Sequence, residues 1–266
     1  MSMSLFFNTR FTFKPAVLGA ALLVAPAACN TVQHQASVPA STKAEAEAPV
    51  IITYKEGQLI SIITSLPNSG EAARQAIAAY GASAFPLASK HGLKREGQLL
   101  VKAAPVGDHK PVVAVFYSWP STAAEAAFNA EPGWPAIRDT RADAWEELRI
   151  YTDLVEKDTT LTFDPAKTYT LAMAWINPEN PHDYDVYMKG IEAAVAQSGG
   201  RFMYKMFDPE FESHSLDDGA PGQVTLVEWD TPQGLESFGT TKGFKDNVKY
   251  LSSGVTRFEI IALGVS

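Results

Sequence analysis

The chain repeats itself, and that constrains its fold more than any single motif. Residues 224–244 have a gapless echo 110 residues earlier: Trp119 stands for Trp229, Ser121 for Thr231, Phe128 for Phe238, Gly133 for Gly243 and Trp134 for Phe244. The same offset carries Leu148 onto Phe258, Ile150 onto Ile260 and Val155 onto Val265. Run backwards, it sets Leu59-Ile60-Ser61-Ile62-Ile63 on Tyr169-Thr170-Leu171-Ala172-Met173. Agreement that extends this far beyond one pair of tryptophans marks a duplication. The period is that of a small domain and too long for a solenoid repeat. The expected units are 58–157 and 167–266.

Each unit reads as β-α-β-β-α-β. In the first, β-branched residues from Gln58 to Leu66 make a strand that ends at the turn cluster Pro67-Asn68-Ser69-Gly70. A helix follows from Glu71 to about Ser89, with Pro86 expected to kink it and Gly92 to stop it. Residues 93–103 and 112–119 form a hairpin around Pro105-Val106-Gly107-Asp108, Thr122 opens a second helix with capping-box spacing to Glu125, and a strand from about Glu146 to Val155 closes the unit. The second unit runs strand 168–176, helix 181–197, strands 201–207 and 223–229, a helix from Pro232 capped by Thr231, and strand 256–263.

This order is the ferredoxin-like split βαβ arrangement, an α+β fold with both helices on one face of a four-stranded sheet. The other face needs a cover. Strands of the second unit are apolar at both parities: Leu171, Met173 and Trp175 alternate with Ala172, Ala174 and Ile176. A sheet with one wet face alternates apolar and polar residues instead. The nearest cover is the twin sheet, which predicts two units packed sheet to sheet as an internal pseudo-dimer.

The N-terminus carries its own signal. Arg10 and Lys14 flank an apolar run from Ala16 to Val24, too short to span a bilayer, and small residues follow, as in an export signal over 1–28. Ala25-Pro26-Ala27-Ala28-Cys29 resembles a bacterial lipoprotein signal, in which the cysteine is lipidated and becomes the new N-terminus. That implies a periplasm-facing envelope protein anchored to the bilayer through Cys29. Ala25-Pro26-Ala27 also satisfies an A-x-A cleavage site, which would release a soluble exported protein. Cys29 is the only cysteine, so no disulfide forms within the chain. Residues 29–57, rich in Ala, Ser, Thr, Pro and Gln, read as the anchor and a flexible tether. Removing the two leader cations takes the net charge from −8 to −10, and such an acidic body repels nucleic-acid phosphates.

The second half resembles the dimeric α+β barrel superfamily, and within it small bacterial domains of unknown function. The resemblance rests on Asp183-Tyr184 with Tyr187, Gly199-Gly200-Arg201-Phe202, and Val227-Glu228-Trp229 followed by Thr231-Pro232. The first half is similar more loosely, through Phe85-Pro86-Leu87, His91-Gly92, Trp119-Pro120-Ser121 and Gly133-Trp134. The resemblance implies a fused α+β barrel. It admits cofactor-independent monooxygenases, isomerases and haem proteins, so haem is allowed, although no motif calls for a cofactor.

Phosphate-binding glycine loops, a G-x-S-x-G elbow, H-E-x-x-H and paired-cysteine metal sites do not occur, and no catalytic residue is singled out. Arg201, Lys205 and Glu228 fall on neighbouring strands, with Tyr204 and Trp229 beside them. If Lys205 and Glu228 met in a closed interior they could hold a polar ligand; the competing reading is a structural ion pair. Tyr184 and Tyr187, one helical turn apart, either line a site with Trp175 and Asn177 or belong to the core. The acidic loop 208–222, with Glu210, Glu212, His214, Asp217 and Asp218, has no diagnostic metal spacing. The expected function is binding of a small organic ligand, in the interior or in a cleft under a helix; a cofactor-independent oxygenase or isomerase and a purely structural envelope protein are the alternatives. Oligomeric state is left open.

Overall fold

The computed structural model describes residues 48–215 and 219–265. The leader, Cys29 and most of the tether lie outside the described residues, as do Asp217 and Asp218. In chain order the elements are β1 (Val50–Tyr54), β2 (Leu59–Pro67), α1 (Glu71–Lys90), β3 (Lys94–Val106), β4 (Val113–Trp119), α2 (Thr122–Asn129), α3 (Trp134–Asp139), α4 (Arg141–Ala144), β5 (Trp145–Leu154) and β6 (Thr159–Phe163), then β7 (Thr168–Ile176), α5 (Pro181–Gln197), β8 (Gly200–Phe207), β9 (Glu210–Ser213), β10 (Gln223–Trp229), α6 (Gly234–Thr240), α7 (Lys242–Gly254) and β11 (Val255–Gly264).

The β-α-β-β-α-β order holds in both halves, with local corrections. Pro86 lies inside an unbroken α1 on its exposed face, where the carbonyl it leaves unpaired meets water. The cap of α2 is Ser121, whose hydroxyl accepts from the Ala124 amide, so Thr122 is the first helical residue and not the cap. Thr241 does the same for α7, accepting from Phe244, and α6 begins only at Gly234. Three strands have no counterpart in the sequence reading. Strand β1 lies in the expected tether, β6 lies between the expected units, and β9 lies in the loop 208–222.

Within each half the strand order is the ferredoxin-like one, β3-β4-β2-β5 and β8-β10-β7-β11, and the two rows join edge to edge where β11 pairs with β3 and β5 pairs with β9. The outermost members of the row, β8 and β9, are consecutive in the chain. Asp208, at φ 46°, turns one into the other, so the sheet closes as a fused α+β barrel. Neighbours are antiparallel throughout, so β2 and β7 run the same way and the pseudo-twofold axis follows the barrel axis.

Strand pairing also corrects the repeat alignment. Leu59 sits opposite Trp119 and Thr168 opposite Trp229. With the two tryptophans equivalent, Leu59 therefore corresponds to Thr168 and not to Tyr169. A one-residue slip exchanges the two faces of a strand. In the corrected register Ile60 and Ile62 match Tyr169 and Leu171, and all four point into the barrel core.

That core is continuous and filled by side chains, among them Leu99, Phe116, Tyr151, Met173, Met206, Leu226 and Ile261. Burying each large apolar side chain contributes about 1.5–3 kcal/mol. Strands β1 and β6 pair with each other and seal one end. Ile52 and Leu161 face across the axis, and Phe163 packs its ring 5.2 Å from Phe116 and 5.0 Å from Tyr169. A charged cluster seals the other end. Arg149 and Glu259, equivalent positions in the two repeats, meet at 2.5 Å, each 1% exposed. Arg257 also binds Glu259 at 2.5 Å, and Arg149 binds Glu147, which bonds His109.

Burial opposes charge on Glu147, but His109 and Arg149 outweigh it and hold the carboxyl at about 2. His109, held low by burial, donates from Nδ1 to Glu147 and accepts from Thr64 at Nε2, 2.7 Å away. Gly107, at φ +84°, is required here, since a Cβ would lie 2.4 Å from the Glu259 side chain. Removing one member of a buried ion cluster strands the others. Glu259→Ala, which leaves Arg149 and Arg257 without their shared partner, is expected to cost about 3–5 kcal/mol in denaturant unfolding; a loss below about 1 kcal/mol would show that water reaches this end of the barrel.

Candidate functional site

With the barrel full, the open volume lies outside it. A cavity of about 270 Å³ sits between the outer face of the first sheet and the helices that cover it. Strands β2, β4 and β5 supply its floor through Ser61, Ile63, Ser65, Val115, Tyr117, Leu148 and Ile150, and α1 supplies one wall through Ile77, Tyr80, Gly81, Ala84, Phe85 and Ala88. The walls carry seven aromatic residues, Tyr80, Phe85, Tyr117, Trp119, Phe128, Trp134 and Trp145. Their rings pack on one another: Tyr80 lies edge-on to Trp145 at 5.0 Å, and Phe85 stacks on Tyr117 at 6.1 Å.

Why this half is open follows from comparing the repeats. Gly92 and Gly199 both end the first helix of their unit with positive φ, at +87° and +72°, and align α1 with α5. Gly81, Ala84 and Ala88 then correspond to Met188, Ile191 and Val195. Small residues in the first unit leave the space that larger ones occupy in the second.

The polar groups of the cavity are few and placed. Arg141 of α4 is buried, donates from Nε to the Tyr80 hydroxyl at 2.9 Å and pairs through Nη1 with Glu212 at 2.7 Å. Its guanidinium lies 5.1 Å from the Trp134 ring centroid. The 110-residue offset places Arg141 on Leu251, which is buried in the second unit. Glu212 comes from β9, so the second repeat completes the cavity of the first. Glu125 of α2 also lines the chamber, and burial, with Glu210 and Glu212 close by, pushes it up to about 7. A second recess of about 330 Å³ shares Glu125, Asn129, Trp134, Ile150 and Glu212 with the chamber and adds Pro135, Arg138, Thr152, Glu210 and Phe211.

None of the eight ligand candidates named from the sequence lines either cavity. Trp175 points into the barrel, donates to the Gly219 carbonyl at 3.0 Å and faces Arg257 at 4.8 Å. Asn177 is tied to the Ser253 carbonyl at 2.8 Å. Tyr184 and Tyr187 are both 3% exposed, 6.0 Å apart, and fill the helix–sheet layer of the second half; burial raises both well above the ordinary tyrosine range. Trp229 is core, bonded to Thr170 at 2.9 Å. Lys205 and Glu228 do not meet: Glu228 pairs with Lys167 at 2.7 Å and Arg201 at 3.2 Å, and Lys205 lies over the Phe202 ring. Tyr204 donates to Asp153 at 3.0 Å.

Haem does not fit these residues, because the chamber walls hold no histidine, cysteine or methionine. Of the two tyrosines there, Tyr80 is already engaged by Arg141, and Tyr117 stacks on Phe85 with its hydroxyl engaged by Arg95. Among the described residues no group of three or more His, Cys, Asp or Glu side chains is placed to hold a metal ion.

No protein-family model matches the sequence, and neither does any curated protein. Solved structures of similar architecture include an anthrone oxidase-like protein, at TM-score 0.49 and 14% identity over 80% of this chain and 94% of that one. A mutant chlorite dismutase from Candidatus Nitrospira defluvii gives 0.43 at 9% identity, covering 80% and 93%. A protein of unknown function from Rhodopseudomonas palustris gives 0.29 at 18% identity over 42% and 84%.

If Arg141 is held for a ligand and not for the fold, Arg141→Leu, which installs the side chain found at position 251, costs no more than about 1 kcal/mol, because its partner Glu212 is 42% exposed and stays hydrated. A loss of about 3 kcal/mol or more in thermal or denaturant unfolding would make Arg141 a structural residue.

Proposed function

We propose that the protein binds a small, largely apolar organic molecule in the chamber of the first repeat. The observation that carries this reading is the buried Arg141, set in an aromatic-walled cavity where the other repeat has leucine. Apolar walls with a few convergent polar groups are what a small-molecule site needs. The volume suits a ligand of one or two fused rings.

A second reading, catalysis of the isomerase or cofactor-independent oxygenase kind, is favoured by Glu125 alone. A carboxyl near 7 at the edge of the cavity is poised to give or take a proton at neutral pH. We further propose, from the leader sequence, that the protein works in the bacterial envelope, facing the periplasm and anchored through Cys29.

A thermal-shift screen with small aromatic molecules is expected to return ligands that raise Tm, by the equivalent of about 2.7 kcal/mol at a hundredfold excess over Kd. The same ligands are expected to quench tryptophan fluorescence through Trp134 and Trp145, and to be lost in Arg141→Leu. Ligands that stabilise wild type and Arg141→Leu alike would place the site elsewhere. Oxygen uptake or substrate turnover by the bound protein, abolished in Glu125→Gln, would convert the reading from binding to catalysis. For the anchor, mass spectrometry of the exported protein is expected to find a diacylated Cys29 at the N-terminus; an unmodified Cys29 would contradict it.

A further inference from the structure

The second repeat shows that the barrel closes without an ion pair at the position of Arg141 and Glu212. Strand β5 sets Ile150 opposite Glu212 of β9, and strand β11 sets Ile260, the equivalent of Ile150, opposite Val106 of β3. Glu212 therefore corresponds to Val106, as Arg141 corresponds to Leu251, and Val106 and Leu251 are both buried. Two apolar side chains stand where the first repeat has a charged pair.

Arg141 is buried nonetheless, and its hydrogen bonding is incomplete. Nε donates to the Tyr80 hydroxyl at 2.9 Å, and Nη1 lies 2.7 Å from Glu212. Among the described residues Nη2 has no hydrogen-bond partner, and the Tyr80 hydroxyl, which accepts from Arg141, has no acceptor for its own proton. Nε and Nη2 share one edge of the planar guanidinium, so an oxygen that accepts from Nη2 lies beside the Tyr80 hydroxyl and can take its hydrogen bond too. Arg141 and Tyr80 both line the chamber, with the Trp134 ring 5.1 Å from the guanidinium and the Trp145 ring 5.0 Å from that of Tyr80.

We infer that the ligand of this chamber is a neutral aromatic carbonyl compound, whose oxygen accepts from Arg141 Nη2 and the Tyr80 hydroxyl while its ring lies among Tyr80, Trp134 and Trp145. This deepens the binding reading above and rests on it. A carbonyl oxygen has two lone pairs and no proton of its own to place, which matches a pair of donors. A hydrocarbon would shut both donors away from water with no acceptor, which costs free energy. A carboxylate is disfavoured because Glu212 already neutralises Arg141 and Glu125 lines the same wall. An amine would set a second cation beside the guanidinium.

The test uses three probes of nearly one shape, acetophenone, α-methylstyrene and benzoate, titrated into the full chain by calorimetry. Acetophenone is expected to bind about tenfold more tightly than α-methylstyrene, as one hydrogen bond to a charged group provides, and more tightly than benzoate. In Tyr80→Phe/Arg141→Leu, which keeps the ring and an apolar body, the preference for the ketone over the hydrocarbon is expected to fall within about twofold. Glu212→Gln, on a side chain 42% exposed, keeps both donors, so there the preference is expected to persist. If acetophenone and α-methylstyrene bind alike, or benzoate binds best to the wild type, the carbonyl inference is overturned while binding in the chamber stands. Retention of the ketone preference in the double variant, or its loss in Glu212→Gln, overturns the assignment to Arg141 and Tyr80. If none of the probes binds at millimolar concentration, the chamber reading falls and the inference falls with it.

Discussion

A ferredoxin-like sheet with helices on one side presents a bare apolar face on the other, and everything in this molecule follows from how that face is covered. Duplication supplies the cover. The two rows turn their inner faces toward each other and join edges through β11 with β3 and β5 with β9. Because the pseudo-twofold axis runs down the barrel, equivalent residues meet themselves: Ile52 against Leu161 at one end and Arg149 against Glu259 at the other. The second pair could not be two arginines or two glutamates. Divergence of the repeats at this position, one to each charge, lets a symmetric location hold an ion pair.

The barrel interior is packed with side chains, and the chamber lies outside it, in the helix–sheet layer. There the repeats have diverged in size as well as charge. The second unit buries Ile191, Val195 and Leu251 where the first has Ala84, Ala88 and Arg141. One layer became core and the other became a chamber, and β9 reaches across from the second unit to place Glu210 and Glu212 at the chamber of the first.

Much of the architecture was legible because strand and helix periods, turn glycines and the repeat all agreed. Helix α5 and strands β7 and β10 fall where their patterns put them. Strands β1, β6 and β9 were not legible. Each has only four or five residues, and Val50-Ile51-Ile52 follows a long polar stretch that hides it. The repeat comparison itself could have found β1 and β6, since they stand at matching distances before β2 and β7. The conspicuous residue types Tyr184, Tyr187, Lys205 and Glu228 are core or rim in the structure. The usable signal was a difference between copies, Arg141 against Leu251 and alanines against branched residues. Seeing it as a cavity requires knowing that these positions share one layer, which no single strand or helix pattern reveals.

The first repeat keeps a cavity in the layer that the second has filled. The most direct test of this is the stability of Ala84→Ile/Ala88→Val, which gives α1 the side chains of Ile191 and Val195. A true void accepts the added methyl groups, so Tm should rise by several degrees, roughly 1–2 kcal/mol of new burial. A packed layer would instead be strained, and a fall in stability of about 1–3 kcal/mol would contradict the account.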